Sequence, residues 1–506
     1  MKINNKQNLY IYIGIITVCI ILLNIVSRNW IFKRIDLTDN KMYSLSTSSE
    51  NIIKKLDDIF TIKIYFSNDL PGEYGNNRRY LQDILEEYVA SSNGNIKFEF
   101  YETDNDEDLQ EEARKSGIQP VQLQVLENDK VEVKQVYMGM SFIFEDKRDV
   151  IPIIQTTTGL EYDITTRIKK LASEKNQNIG ILNINNQAAV QNLTQQLREN
   201  FIVRNISLDN SIPENIDLVI FPGIIDSLPD NQMSFINEYY ESGGDFLIGQ
   251  NRIFTDLQTQ QASPIQSNIF DFLSKAGIEI EENLVLDKVC GKVNVQQNMG
   301  IFRMAVPMDY PFIPIIQKFY NSSIVKDLEQ VSLIFPSEIT IQDSVVNDNL
   351  IVTPLFSSSN NSTTMTGFYN LAPDPKQNPI FSQLTESGKT VGALSEKKWS
   401  DSSSSSVIIV SDSKFLTDDG GAASLENMIF IQNAIDYLFG DNDLIALRSR
   451  EITSRPLEII SDNARTTWKW ANIFVPFILI IIVGFYKFTM ERKRSKFLKA
   501  IYDETT

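Results

Sequence analysis

Residues 218–249 read LVIFPGIIDSLPDNQMSFINEYYESGGDFLIG. The apolar run LVIF is too short for a helix and stops at Pro222-Gly223, as a buried strand would. Residues 231–242 then carry apolar side chains at helical spacing, and Gly243-Gly244 ends them as a C-cap. DFLIG at 245–249 is a second buried-type strand. Strand, helix, strand at this spacing implies a parallel crossover and a doubly wound α/β sheet.

Working outward, 179–184 (IGILNI) and 201–207 read as further strands flanking a helix at 190–200, and 270–277 reads as another helix. VIIV at 407–410 is a core strand, 427–439 a helix and 444–448 an edge strand, so this doubly wound domain is expected over 178–289 and again over 407–450. The intervening 290–406 is irregular and β-rich, reads as an insertion, and ends in the serine loop 402–406. Upstream, 36–173 forms a separate α/β module. A short helix runs to residue 56, capped by Ser46 or Thr47. Strands follow at 60–66, 95–101, 121–126, 130–136 and 138–144, with helices at 78–91, 107–115 and 159–172. The order β-α-β-α-β-β-α suggests a thioredoxin-like layout without the C-x-x-C motif of its redox members.

Two uncharged apolar segments bracket these domains, at 9–26 (LYIYIGIITVCIILLNIV) and 470–485 (WANIFVPFILIIIVGF), and the second span is expected to extend past Lys487 to 488. A bilayer core about 30 Å thick takes about 20 helical residues, so each is a transmembrane candidate. The first exceeds the usual apolar length of a cleaved signal sequence and lacks an A-x-A-like site, so it is expected to be retained. Lys487, Arg492, Lys493, Arg494, Lys496 and Lys499 follow the second segment, whereas Arg465 and Lys469 precede it. This bias places the basic tail 489–506 in the cytoplasm. Two spans return residues 1–8 to the same side, leaving the large domain extracytoplasmic.

The chain of 506 residues holds 65 acidic and 47 basic residues, a formal charge of −18, which argues against a nucleic-acid partner. Its two cysteines, Cys19 and Cys290, are not expected to pair. It contains no histidine, which removes Ser-His-Asp and Cys-His catalysis and histidine-ligated metals. SGKT at 387–390 ends like a phosphate loop, but Gln383 stands where that motif needs glycine. The acidic run at Asp104, Asp106, Glu107 and Asp108 lacks EF-hand spacing and reads as a helix start. No cofactor or metal is expected. Ligands of doubly wound folds bind at the carboxyl edge of the sheet, where Gly223, Asp226, Asn251 and Arg252 are the candidate residues.

Two markers carry a family resemblance: RIDLTDNKMYSLS at 34–46 directly after the first apolar segment, and VIIVSDS at 407–413 followed by DLIAL at 443–447 before the second. In this order the chain resembles the auxiliary-component family of ABC transport systems associated with gliding motility. The resemblance implies a non-enzymatic subunit of the bacterial cytoplasmic membrane, working with a permease and a separate ATPase in motility or envelope export. It also implies a doubly wound domain similar to class I glutamine amidotransferases and to the related domain of intraflagellar transport proteins. The alternatives are a stand-alone receptor for a saccharide or peptide, and a carboxylate-only enzyme acting on glycans.

Overall fold

A computed structural model describes residues 13–19, 44–451 and 462–503, except 69, 71, 105, 128–129, 174–176, 185–187, 300–301, 327 and 343–345. Most of the first apolar segment and most of the run 34–46 lie outside the described residues; 13–19 are helical. The chain divides into two units, Met1–Thr453 and Ser454–Thr506.

From residue 44 the first unit continues with helix α1 (Thr47–Ile53), whose N-cap Ser46 accepts a hydrogen bond from the Ser49 N–H. Strand β1 (Phe60–Phe66), helix α2 (Gly72–Ser91), strand β2 (Ile96–Glu102) and helix α3 (Glu107–Lys115) follow. Next come β3 (Val121–Glu127), β4 (Lys130–Val136), β5 (Met138–Phe144), β6 (Lys147–Ile151) and helix α4 (Leu160–Ala172). The sheet order is β2-β1-β5-β6, with β1 and β2 parallel and β5 antiparallel to its neighbours. The strands expected at 121–126 and 130–136 form a hairpin outside this sheet, and β6, not foreseen, supplies the fourth strand. Phe60, Ile62, Ile64 and Phe66 of β1 meet Leu81, Leu85 and Tyr88 of α2 in one core.

The second sheet begins with β7 (Asn178–Leu182), α5 (Gln191–Arg198), β8 (Ile202–Ile206), β9 (Leu218–Phe221), α6 (Asp230–Glu241) and β10 (Asp245–Gly249). A hairpin β11 (Ile253–Asp256)–β12 (Gln261–Pro264) and helix α7 (Ile269–Lys275) come next. The β-rich stretch holds β13 (Ile278–Ile280), β14 (Leu284–Asp287), β15 (Cys290–Met299), β16 (Phe302–Ile316), β17 (Lys318–Phe319), β18 (Val331–Ser332), β19 (Ile339–Ile341), β20 (Leu350–Ser357), β21 (Ser362–Met365) and β22 (Thr390–Lys398). Strand β23 (Ser404–Val410) and helices α8 (Leu425–Leu438) and α9 (Asn442–Glu451) complete the unit.

The main sheet runs β17-β20-β22-β23-β10-β9-β7-β8. Strands β8, β7, β9, β10 and β23 are parallel, and β22, β20 and β17 extend the sheet antiparallel. Side chains alternate between two cores. Leu218, Ile220, Leu247 and Ile408 join α5 and α8 on one side, while Val219, Phe221, Phe246 and Ile409 join α6 and α7 on the other. Both faces are therefore covered, which is why these strands read as continuous apolar runs.

Three expectations need correction. The stretch 290–406 is not separate from the doubly wound sheet, because β17, β20 and β22 are three of its eight strands. Ser404–Ser406 are paired in β23 rather than looped, with Ser405 buried and donating to the Tyr240 carbonyl at 2.5 Å. Residues 444–448 lie in helix α9. Leu444, Ile445, Leu447 and Arg448 are buried on one helical face, a pattern a five-residue window cannot separate from a strand.

The second unit contains helix α10 (Asp462–Asp503), within which Ala464–Ser495 holds an 18-residue stretch of mean hydropathy 2.2 with no buried residue. Trp470 stacks on Phe474, and side chains such as Ile480, Ile481 and Phe485 are more than two-thirds exposed. An apolar surface on all sides of a helix requires lipid or another helix to cover it.

Candidate functional site

Strands β9, β10 and β23 end side by side at Pro222-Gly223, Gln250-Asn251 and Ser411-Asp412. The backbones here approach so closely that a Cβ on Gly223 would sit 2.4 Å from the Ser413 Cβ and 2.8 Å from the Gly249 carbonyl oxygen. Pro222 follows a fully buried strand, so this edge is an interior surface.

Its polar side chains are spent on backbone groups. Gln250 accepts from the Ile224 N–H at 2.8 Å and donates to the Ile224 and Asn251 carbonyls. Asn251 donates to the carbonyls of Ile253 at 2.9 Å and Phe335 at 3.2 Å. Asp412, fully buried, accepts from the N–H groups of Ile334 and Lys414, each at 2.8 Å. Ser337 accepts from the Arg252 N–H at 3.0 Å and donates to the Asn283 carbonyl, while its own N–H bonds the Ser411 carbonyl. The segment 333–338 is thereby laid across the ends of the parallel strands. Burial pushes Asp412 up to about 7 against the pull of its two N–H donors.

Of the four expected residues, Gly223 and Asn251 line one cavity of about 190 Å³ together with Ile225, Phe254, Ser413 and Lys414. Asn251 Oδ1 is buried without a hydrogen-bond partner among the described residues. The other two do not join them. Asp226 is exposed, and its carbonyl accepts from Ser267 Oγ at 3.1 Å. Arg252 stacks on the Phe270 ring at 4.0 Å and donates weakly to the Ile280 carbonyl.

The remaining sequence motifs have structural roles. Lys389 of SGKT is paired with Glu386 at 3.0 Å and Glu338 at 3.7 Å as it enters β22. Asp106 caps α3 by accepting from the Leu109 N–H. Burial pushes the Cys290 thiol up to about 11, so it is a protonated, poorly nucleophilic group at neutral pH.

A second constellation, missed in the sequence, joins the two modules. Arg448 of α9 donates to Asp436 Oδ2 of α8 at 2.7 Å and also to Asn433 Oδ1 and the Tyr162 hydroxyl of α4. Its guanidinium lies 4.3 Å over the Tyr162 ring. Arg448, Asp436 and Asn433 are all buried, and burial raises Asp436 while Arg448 opposes the rise. Beside them Ile52 of α1, Tyr162, Leu444 and Leu447 form an apolar cluster. The buried Glu161 of α4 accepts from the Ser46 N–H at 2.8 Å and from Ser49 Oγ at 2.7 Å. Helices α1 and α9 thus grip the same helix, α4. A helical reading of 444–448 would have exposed the signal, an arginine one position after Leu447 on an apolar face.

Asp245, at the opposite edge of the sheet from Asn251, accepts from the Ser406 N–H at 2.6 Å, yet burial pushes it up to about 7. Its folded pKa lies above the unfolded value near 3.9, so the folded state binds the extra proton. Stability from this group is present at low pH and lost as pH rises toward 7. Asp245→Asn keeps an acceptor for Ser406 and is expected to stabilise the protein by about 1–3 kcal/mol at pH 8, and much less at pH 4. Urea unfolding at the two pH values measures this, and equal effects at both would contradict it.

A domain of unknown function matches residues 39–143. An uncharacterized protein of Borreliella burgdorferi is 22% identical over 519 residues, spanning 97% of this chain and 100% of its own. Among solved structures, the N-terminal domain of mmIFT52 aligns with 12% identity and a TM-score of 0.34, over 51% of this chain and 96% of that one. A ThuA-like protein from Bacteroides uniformis aligns with 10% identity and a TM-score of 0.27, over 53% and 92%. The family model described as an ABC-type uncharacterized transport system matches residues 164–446, from within α4 to within α9. That match covers more than half of the sequence and takes in the main sheet with all its extensions, so the chain belongs to this ABC-type transport-system family.

Proposed function

We propose that this protein is a non-catalytic, membrane-anchored auxiliary subunit of an ABC transport system, held by two spans with both termini cytoplasmic. Its domain stands on the extracytoplasmic side, and a permease and a separate ATPase are its partners in surface motility or envelope export. Family membership supports the transport role, and the long apolar helix α10 supports the membrane association.

The observation that carries the coupling role is the convergence of α1 and α9 on α4. The chain reaches α1 from the first apolar segment and leaves α9 toward the second. A relative displacement of the two anchors would therefore be delivered to one buried junction, Glu161-Tyr162-Arg448, rather than to opposite ends of the domain. The parallel β1–β2 pair followed by the antiparallel β5–β6 pair supports a thioredoxin-like reading of the first module, and the missing C-x-x-C motif leaves it a structural or binding rather than a redox role.

Receptor and enzyme readings gain less support. Sites for small molecules commonly measure about 300–1,000 Å³, whereas Gly223 and Asn251 border about 190 Å³. The carboxylate at that edge, Asp412, is enclosed and occupied by two N–H groups. Affinity isolation of the full chain from native membranes tests the proposal. Stoichiometric recovery of a permease and an ATPase is expected; recovery of the chain alone under several mild detergents would overturn it.

A further inference from the structure

Strand β2 is the outermost strand of the first module's sheet, pairing with β1 on one side and with no strand on the other. The Asn95 carbonyl accepts from the Phe60 N–H at 2.7 Å, which fixes the alternation of backbone groups along β2. Lys97, Glu99 and Tyr101 turn their N–H and C=O groups to β1, while Phe98, Phe100 and Glu102 turn theirs outward. These outward groups have no hydrogen-bond partner among the described residues. At the start of the strand the Ile96 N–H is spent on Ser92 Oγ at 3.0 Å, leaving its carbonyl outward.

A row of unpaired backbone groups is a template for another strand, and proteins commonly blunt it with proline or a bulge. Strand β2 has neither, and its register with β1 runs unbroken from Ile96 to Glu102. The other edges of the two large sheets differ. Strand β6 is tied to α4 through Lys147, which donates to the Leu171 carbonyl, and through Asp149, 3.2 Å from Lys170. Strand β8 carries a single charge, Arg204, and β17 has two residues.

The side chains of β2 specify what would pair with it. Lys97 and Glu99 are exposed on one face, and Lys97 has no ion pair among the described residues. Glu99 accepts from the Tyr101 hydroxyl at 2.5 Å through one of its oxygens. Phe98 and Phe100 lie half-buried on the other face, edge to face at 5.9 Å. A strand with a cation two residues before an anion complements itself when run antiparallel. A two-fold axis at Phe98 sets Lys97 of each copy opposite Glu99 of the other, and Phe98 opposite Phe98. Axes at Lys97 or Glu99 would oppose like charges, and one at Phe100 would set Phe98 against Glu102. With the axis at Phe98, the two Phe98 residues exchange both backbone bonds, and each Phe100 N–H reaches the outward Ile96 carbonyl.

We infer that two copies of this chain join by antiparallel pairing of β2 about Phe98, making one continuous sheet with both α2 helices on the same face. The contact is isologous, each copy giving and receiving the same pair of charges. It is small, so the inference rests on the membrane anchoring proposed above to hold the copies at high local concentration.

Thiol cross-linking of the full chain in its native membranes tests the pairing. In a background with Cys19→Ser and Cys290→Ser, Phe98→Cys places its Cα about 5.5 Å from its counterpart, within disulfide range. A disulfide-linked dimer is expected on mild oxidation, at least tenfold faster than for Phe368→Cys, an 82% exposed site that links by collision alone. Adding Lys97→Glu or Glu99→Lys should slow the link at least fivefold, and adding both should restore it, because the double exchange is again complementary. Glu99→Lys would by itself make the thiol more reactive, so slowing by this change reads pairing rather than thiol chemistry. Linking no faster than at Phe368→Cys, or a double exchange no better than the single ones, would overturn the inference. When the chain stays in alkali-washed membranes yet does not link, the pairing falls while the anchoring stands.

Discussion

Arg448→Met is expected to lower the unfolding free energy by about 3–5 kcal/mol, because it leaves the Asp436 carboxylate buried without its counter-charge. The pair lies at 2.7 Å with side chains 8% and 1% exposed, so solvent cannot substitute for the lost partner. The same change removes the donors to Asn433 and to the Tyr162 hydroxyl, which links α9 to the first module. Adding Asp436→Asn to Arg448→Met removes the buried charge and should recover more than half of the loss, since a neutral replacement of a buried pair costs far less than breaking it. Urea unfolding of the detergent-solubilised chain measures both. A single variant within about 1 kcal/mol of the parent, or a double variant no better than the single, would show that the junction is not held by this pair.

Gly223→Ala should be comparably damaging for a steric reason. Its Cβ would fall 2.4 Å from the Ser413 Cβ and 2.8 Å from the Gly249 carbonyl, and one of these neighbours is backbone that cannot rotate away. Overpacking of this kind costs about 1–3 kcal/mol where side chains can yield, and more where they cannot. A loss of at least about 3 kcal/mol is expected, together with loosening of the 333–338 segment, read as faster amide exchange at Ile334. Gly75, exposed in α2 with nothing within 4 Å of the point where a Cβ would stand, provides the contrast. Gly75→Ala should stabilise by about 0.5–1 kcal/mol through helix propensity. Equal effects at the two glycines would mean that the edge of the main sheet is less tightly packed than these distances require.

The parallel core was legible because its strands are buried on both faces: LVIF, DFLIG and VIIV are uninterrupted apolar runs ending in turn residues. Helices α6 and α8 were legible from spacing and α1 from its serine cap. Strands β20 and β22 were not assigned to the main sheet, because antiparallel extension depends on partners far along the chain and leaves no local mark. Helix α9 was misread since five residues around DLIAL fit both periods, and length alone would have decided. At the carboxyl edge, Gly223 and Asn251 border one cavity, whereas Asp226 and Arg252, close to them in sequence, point elsewhere. Gln250, Asp412 and Ser337 were missed because their partners lie in segments that only the fold brings together. The Tyr162, Asn433, Asp436 and Arg448 cluster was invisible for the same reason, each residue being unremarkable in its own helix.

The central claim, that one extracytoplasmic domain is tethered at both ends, is tested most directly by thiol labelling. In a background with Cys19→Ser and Cys290→Ser, single cysteines would be placed at Asn4, at Phe368, which is 82% exposed, and at Thr506. A membrane-impermeant maleimide added to cells with an intact cytoplasmic membrane should label Phe368→Cys alone. Asn4→Cys and Thr506→Cys should react only after permeabilisation. Labelling of Asn4→Cys in intact cells would remove the first span, and protection of Phe368→Cys would place the domain on the cytoplasmic side and contradict the two-anchor architecture.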